Sequence, residues 1–410
     1  MKRDLPYILD TRSLLSKSPD EQKVMPGKGK IDFDFSAIDW LNRAEVNALR
    51  RGLLRVIPGL RDRGLRINFD TVRLHSIKND TLLIAPQRLE LEIISACNYR
   101  CSFCLTHGPL VKEKWQLRKD AFMNFKDIKK IILQAYTMGT ETIFITGKGE
   151  PLLHPNIAEI ISEAAGRGME VLLITNASIP AAIDEILRLS AHYRIQFFIN
   201  LSAATADAFK RVHGAGGEEF AHLLNNIYRI NKKYPAVLSF IIGKYNMDEI
   251  FKFVDLSAKL GVKSVNFKYP SLWRSKDRKI MLSKDQQALF AGRLSQVIAY
   301  AKRRGVNVRM ERVSSDLPGW NDEHAKALSC YSGWFSQRVR LDGKMYICCW
   351  QNKAIARLTK GDWKKALFSK KCVSLLLEGK NRLDITKARW SRCARCINYE
   401  RNVNTQEMLS

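Results

Sequence analysis

From Arg88 to Lys268 short apolar runs alternate with longer amphipathic segments, and no other feature of the chain constrains its fold as much. Residues 89–94, 142–146, 170–175, 195–201, 237–242 and 262–268 have the length and composition of strands. Between them, residues 125–138, 157–167 and 248–260 carry apolar side chains at helical spacing. This alternation predicts parallel βα units, because parallel neighbours need a crossover about as long as a helix. Chemistry in such folds gathers at the C-terminal ends of the strands.

Two of those strand ends carry chemistry-bearing residues. The first leads into Cys97-Asn98-Tyr99-Arg100-Cys101-Ser102-Phe103-Cys104, a C-x3-C-x2-C triplet. Three thiolates cannot close a four-ligand site, but they can hold a [4Fe–4S] cluster by three irons and leave the fourth open to a chelating small molecule. By ligand count alone, a Cys3His zinc site completed by His107 is the alternative. The second strand end runs Thr146-Gly147-Lys148-Gly149-Glu150-Pro151-Leu152-Leu153-His154-Pro155. Its glycines allow close approach of the backbone to a ligand.

The triplet with its Cys-Asn start and Phe103, followed by this GxGEPLLHP turn, resembles the radical SAM superfamily. The resemblance implies an α/β fold, a partial (βα)6 TIM-type barrel, with a SAM-binding 4Fe–4S cluster on Cys97, Cys101 and Cys104. S-adenosylmethionine (SAM) would chelate the open iron and be cleaved to methionine and a 5′-deoxyadenosyl radical. Gly147, Gly149, Glu150 and Pro151 match the turn that receives the methionine amino group, and Phe103 sits before the last cysteine. The resemblance also implies SAM contacts at Asn176 after the third strand, Ser202 after the fourth and Asn246 after the fifth. The plain alternative for each is a cap or turn residue. Where many relatives have an Arg-Gly pair for the SAM carboxylate, this chain has His213-Gly214, with Arg211 two residues earlier.

The C-terminal part holds the six remaining cysteines. Residues 335–341 and 344–349 flank Asp342-Gly343, a hairpin signal. Cys330, Gly343 and Cys348 form a C-x12-G-x4-C pattern that resembles the SPASM/twitch extension of radical SAM enzymes. That resemblance implies one auxiliary 4Fe–4S cluster on Cys330, Cys348, Cys393 and Cys396, no cysteine following before Ser410. A zinc ribbon would use the same two thiolate pairs. Cys349 alternates to the other face of its strand and is either packing or a candidate hydrogen-atom donor to substrate. Cys372 lies on an apolar helical pattern over residues 363–377 and reads as core.

Three parts are expected: residues 1–85 as an N-terminal extension, 86–312 as the barrel and 313–410 as the auxiliary-cluster domain. The first should be polar and mobile through Lys30, helical from Ile38 to about Leu54, and stranded at residues 65–69 and 81–84. No apolar run is long enough for a membrane span and no signal core is present, so a cytoplasmic location is expected. Nine cysteines then read as metal or cluster ligands. With 68 Lys and Arg against 41 Asp and Glu the net charge is +27, which suits an anionic partner or a solvated basic surface equally. The expected activity is oxidation (dehydrogenation) of a carbohydrate-like or other small anionic substrate, with reduction by a donor such as flavodoxin or ferredoxin. Epimerisation of the same class, ribosomal-peptide or protein maturation, RNA modification and a non-catalytic iron–sulfur sensor are the alternatives. Nucleic acid is a less favoured partner.

Overall fold

The computed structural model describes residues 7–14, 30–35, 42–109, 111, 122–270, 282–310, 329–348, 351, 354–358, 361–381 and 399–409. Cys349, Cys393 and Cys396 lie outside the described residues.

The N-terminal segment builds a small unit of its own. Strands β1 (Tyr7–Asp10), β2 (Lys30–Asp34) and β3 (Arg66–Ile67) pair in parallel in the order β1-β2-β3. Helix α1 (Arg43–Asp62) starts at a capping box in which Asn42 accepts from the Glu45 N–H and Glu45 accepts from the Asn42 N–H. It runs past the expected Leu54 because Val56, Ile57 and Leu60 extend the buried stripe, even through Pro58. Helix α2 (Phe69–Lys78) follows. Leu49, Leu53, Ile57 and Val72 join Ile31 and Phe33 in a separate apolar core.

Three expectations for this region fail. Residues 7–14 are a strand and a 3-10 turn, and Phe69 begins a helix rather than ending a strand. Residues 81–84 are irregular; Leu82, Leu83 and Ile84 are buried against the neighbouring cores without a ladder partner. Arg61 fastens the unit to the barrel, donating to the Tyr136 carbonyl (2.6 Å) and the Thr140 carbonyl (2.8 Å).

The barrel comes next: β4 (Arg88–Glu92), α3 (Phe125–Thr137), β5 (Thr142–Thr146), α4 (Ile157–Ala165), β6 (Glu170–Thr175), α5 (Pro180–Leu187) and β7 (Ile195–Asn200). It continues through α6 (Ala206–His213), α7 (Gly217–Lys233), β8 (Ala236–Ile241), α8 (Ile250–Lys259), β9 (Ser264–Lys268), α9 (Lys284–Arg303) and β10 (Asn307–Met310). The six expected strands are all present and pair in parallel, and β10 adds a seventh beyond β9. Leu89, Leu91, Ile143, Ile145, Val171 and Leu173 are fully buried against the helices, so the alternate positions face inward.

The sheet does not stop at β4. Strand β11 (Ser336–Val339) pairs with it in parallel, and β12 (Lys344–Tyr346) and β13 (Ala356–Arg357) follow antiparallel. The expected hairpin turn is there, with Gly343 at φ +72°. The C-terminal segment therefore continues the barrel's ten-stranded sheet and shares its apolar core. The single helix expected at 363–377 is two, Trp363–Leu367 and Lys370–Lys380, because Ser369 caps the second by accepting from the Cys372 N–H. Cys372 is core as expected, fully buried with Gln337 Nε2 3.8 Å from its sulfur. No helix among the described residues is long and apolar enough to cross a membrane.

Candidate active site

The triplet loop leaves the C-terminal end of β4 and is held by neighbours on both sides. The Arg100 N–H donates to the His213 carbonyl (3.3 Å) and the Ser102 N–H to the Val212 carbonyl (2.7 Å), docking the loop on the end of α6. Asn98 donates to Ser178 Oγ (2.8 Å) and accepts from Asn176 Nδ2 (2.9 Å), tying it to the end of β6. The Cys104 sulfur faces the backbone N–H of His107 at 3.2 Å and Thr106 Oγ1 at 3.2 Å. His107 Nε2 lies 2.9 Å from the Ser95 carbonyl.

The glycine turn after β5 crosses the chain that leads into Cys97. Gly149 donates to the Ile94 carbonyl (3.2 Å) and Glu150 to the Ala96 carbonyl (2.7 Å). A Cβ on Gly149 would stand 1.9 Å from the Ala96 oxygen, so the glycine there serves a chain-to-chain approach. Pro151 opens a buried 3-10 turn. The Glu150 carboxylate is 3% exposed and accepts from Thr175 Oγ1 (2.5 Å), the Asn176 N–H (2.7 Å) and the Leu152 N–H (3.0 Å). Burial pushes it up to about 7 against those three donors, which pull the other way.

Asn176, Ser202 and Asn246 are buried in the same belt of strand ends. Asn176 Oδ1 accepts from Ser178 Oγ at 2.6 Å. Ser202 donates to Asn200 Oδ1 (3.0 Å) and accepts from the Ile241 N–H (2.9 Å). Asn246 Nδ2 donates to the Ser202 carbonyl (2.8 Å) and Oδ1 accepts from the Gly243 N–H (2.8 Å). Ser202 and Asn246 lace the ends of β7 and β8 together, and Asn176 ties the end of β6 to the triplet loop. Phe103 and Asn246 line one narrow cleft with Tyr245 and Pro270. Tyr245 went unnoticed in the sequence; its signal is an aromatic beside the polar turn residue.

His213 stands in the sequence where the resemblance would have an arginine. It is 1% exposed, and burial holds its pKa down at about 3, so it is neutral. Its Nδ1 lies 3.2 Å from the Cys101 sulfur. Arg211 is on the exposed side of α6.

On the inner face, Arg338 Nη2 lies 2.6 Å from Glu90 Oε2 and Arg338 Nη1 3.0 Å from Glu92 Oε1. Arg340 lies over the Tyr346 ring at 3.9 Å, its Nε 3.8 Å from Glu92. Glu92 Oε2 and Arg340 Nε are buried with no hydrogen-bond partner among the described residues. Sequence reasoning missed this group, although Arg88, Glu90 and Glu92 alternating with Leu89 and Leu91 mark a charged inner face.

Residues 91–257 match the family described as the radical SAM superfamily. Those residues carry a radical SAM domain. The chain is 29% identical over 181 residues to a probable GTP 3′,8-cyclase of Saccharolobus solfataricus, 43% of this chain and 55% of the relative. It is 28% identical over 180 residues to an AdoMet-dependent heme synthase of Methanosarcina barkeri, 43% of this chain and 48% of that one. The chain thus spans about half the length of the curated relatives it matches. Among solved structures, Streptococcus suis SuiB bound to S-adenosylmethionine aligns with TM-score 0.57 at 14% identity, over 83% of this chain and 75% of that one. Native anSMEcpe with bound AdoMet and Kp18Cys peptide aligns with TM-score 0.53 at 12% identity, over 76% and 88%. Both show the fold.

The cofactors of this radical SAM domain are a 4Fe–4S cluster and SAM. The residues fit them. Burial raises the Cys97 thiol to about 12 and pushes Cys101 up as well, so a bound cation is what makes thiolates there. Among the described residues no three His, Cys, Asp or Glu side chains converge as one metal ion requires. A cubane does not ask for that, because each thiolate binds a different iron.

Proposed function

We propose that the chain dehydrogenates a small anionic, carbohydrate-like substrate held inside the barrel beneath the triplet. The observation that carries this reading is the inner wall of β4 and β11. There Arg88, Arg338 and Arg340 face Glu90 and Glu92, one positive charge in excess, with Arg340 Nε and Glu92 Oε2 left without a hydrogen bond among the described residues. Buried polar atoms without partners favour a polar ligand that completes them. A guanidinium stacked on Tyr346 is pre-organised for a carboxylate or phosphate. The relative named as a GTP cyclase supports an anionic small molecule, since GTP is one.

Bound to Cys97, Cys101 and Cys104, the cluster with SAM supplies a carbon radical able to remove a substrate hydrogen atom. The chain's own work is to hold and to exclude water. The turn at Gly147–Glu150 fixes the lead-in to Cys97, and the belt of Asn176, Ser202 and Asn246 fixes the strand ends. Phe103, Tyr245 and Pro270 offer flat apolar surface for a planar base such as adenine. Arg340 holds the substrate anion. Cys330, Cys348, Cys393 and Cys396 would hold an auxiliary 4Fe–4S cluster suited to accepting an electron. In support, Gly333 lies against Ile347, bringing the segments of Cys330 and Cys348 together. Cys349 remains the candidate hydrogen-atom donor if the outcome is epimerisation instead.

Reduced protein supplied with SAM should release 5′-deoxyadenosine when offered sugar phosphates or sugar acids, with product two mass units lighter. Arg340→Ala should raise KM for that substrate about tenfold, as expected for one hydrogen bond to a charged group. Release prompted only by peptides would defeat the reading and favour a maturase. Roughly eight irons per chain are expected for two clusters, and zinc in the C-terminal site with only about four irons would remove the auxiliary cluster.

A further inference from the structure

His213 closes α6 with its ring turned toward the triplet. Its Nε2 lies 3.0 Å from the backbone nitrogen of Ser202. A backbone N–H can only donate, so Nε2 must present its lone pair and the ring proton sits on Nδ1. Nδ1 in turn faces the Cys101 sulfur at 3.2 Å. The chain itself therefore fixes the tautomer, and that tautomer aims an N–H at one of the three ligand sulfurs.

The surroundings hold that contact in place. Phe209, Phe103 and Tyr99 ring the imidazole with centroids at 4.8, 5.8 and 6.1 Å. They keep water from competing, and a hydrogen bond in such a setting is electrostatically stronger than in water. The two backbone bonds from Arg100 and Ser102 to the last carbonyls of α6 flank Cys101 on either side, so ring and sulfur move together.

We propose that His213 is a positioning residue for the SAM-binding cluster: its Nδ1–H donates to the Cys101 thiolate and raises the cluster's reduction potential. Hydrogen bonds to the sulfurs are among the levers that set such potentials. The donor favours the reduced cluster, whose sulfurs carry more negative charge. One electron enters on reduction, and no proton leaves the ring.

The test is a redox titration of the reconstituted full chain with SAM, following the EPR signal that responds to SAM and so belongs to this cluster. His213→Phe fills the ring's place without a donor. Its midpoint should fall, leaving about tenfold less reduced cluster at a fixed potential, or about 59 mV for one electron. His213→Gln retains an N–H and should recover part of the shift. An unchanged midpoint in His213→Phe, at wild-type iron content, overturns the proposal. Should neither variant retain the cluster, wild-type protein labelled with nitrogen-15 at histidine Nδ1 decides. ENDOR of its reduced cluster should show a coupled ring nitrogen bearing an exchangeable proton, and absence of that coupling overturns the proposal.

Discussion

Glu150 accepts three hydrogen bonds, two of them from the backbone N–H groups of Leu152 and Asn176, which can only donate. An amide has one accepting oxygen, and its NH2 would face the Asn176 N–H or the Thr175 and Leu152 donors. Glu150→Gln should therefore destabilise the chain by about 1–3 kcal/mol in urea titrations. The same burial gives a pH signature. The folded value near 7 lies above the ordinary 4.5, so between those values the folded chain keeps a proton the unfolded chain has released. This group's contribution is fullest below 4.5 and is lost as pH rises to 7, so wild type should lose more stability over that window than Glu150→Gln. A slope identical in both would show that the carboxyl is ionised throughout. Glu150 was legible from its motif, but its partners were not. Thr175 and Asn176 reach it through the pairing of β5 with β6, which no local spacing encodes. His213 was noticed only as a departure from a pattern; its contact with Cys101 depends on where α6 ends in space.

The turn between β5 and α4 is the element on which the triplet leans. Gly149→Ala would drive a methyl group into the Ala96 carbonyl, backbone against backbone, where nothing flexible can yield. Iron retained after anaerobic reconstitution should drop to less than half of wild type at the triplet. Gly59→Ala, in α1 with open space around the new methyl, is the contrasting case. It should leave iron content unchanged and add about 0.4–1 kcal/mol of stability, because alanine restricts the unfolded chain. Equal iron loss in both would mean that crowding at Ala96 is not the cause. At this scale the sequence served well wherever an apolar run was bounded by helical spacing, as for β4 through β9. It served poorly where length alone had to decide: residues 81–84 are apolar enough for a strand but are used as irregular packing. The break at Ser369 carried a readable signal, a serine three residues before the Cys372 N–H that it accepts from.

Across the whole molecule, the pairing of β11 with β4 joins the C-terminal segment to the barrel. Its inner-face seam is Arg338 between Glu90 and Glu92, whose side chains are 10% and 5% exposed. Arg338→Leu would leave both carboxylates short of their main partner and should cost about 3–5 kcal/mol. Adding Glu90→Gln and Glu92→Gln to that variant should recover most of the loss; no recovery would mean that packing, and not charge, holds the seam. The partnership was illegible in advance because a strand's residues do not name its neighbour, and these partners stand 248 positions apart. That separation gives the molecule a schedule. During synthesis β4 and the loop after it emerge early, while the strand that closes over β4's open edge arrives roughly 12–50 s later at 5–20 residues per second. Through that interval Arg88–Leu91 stand without the strand that pairs with them in the finished sheet.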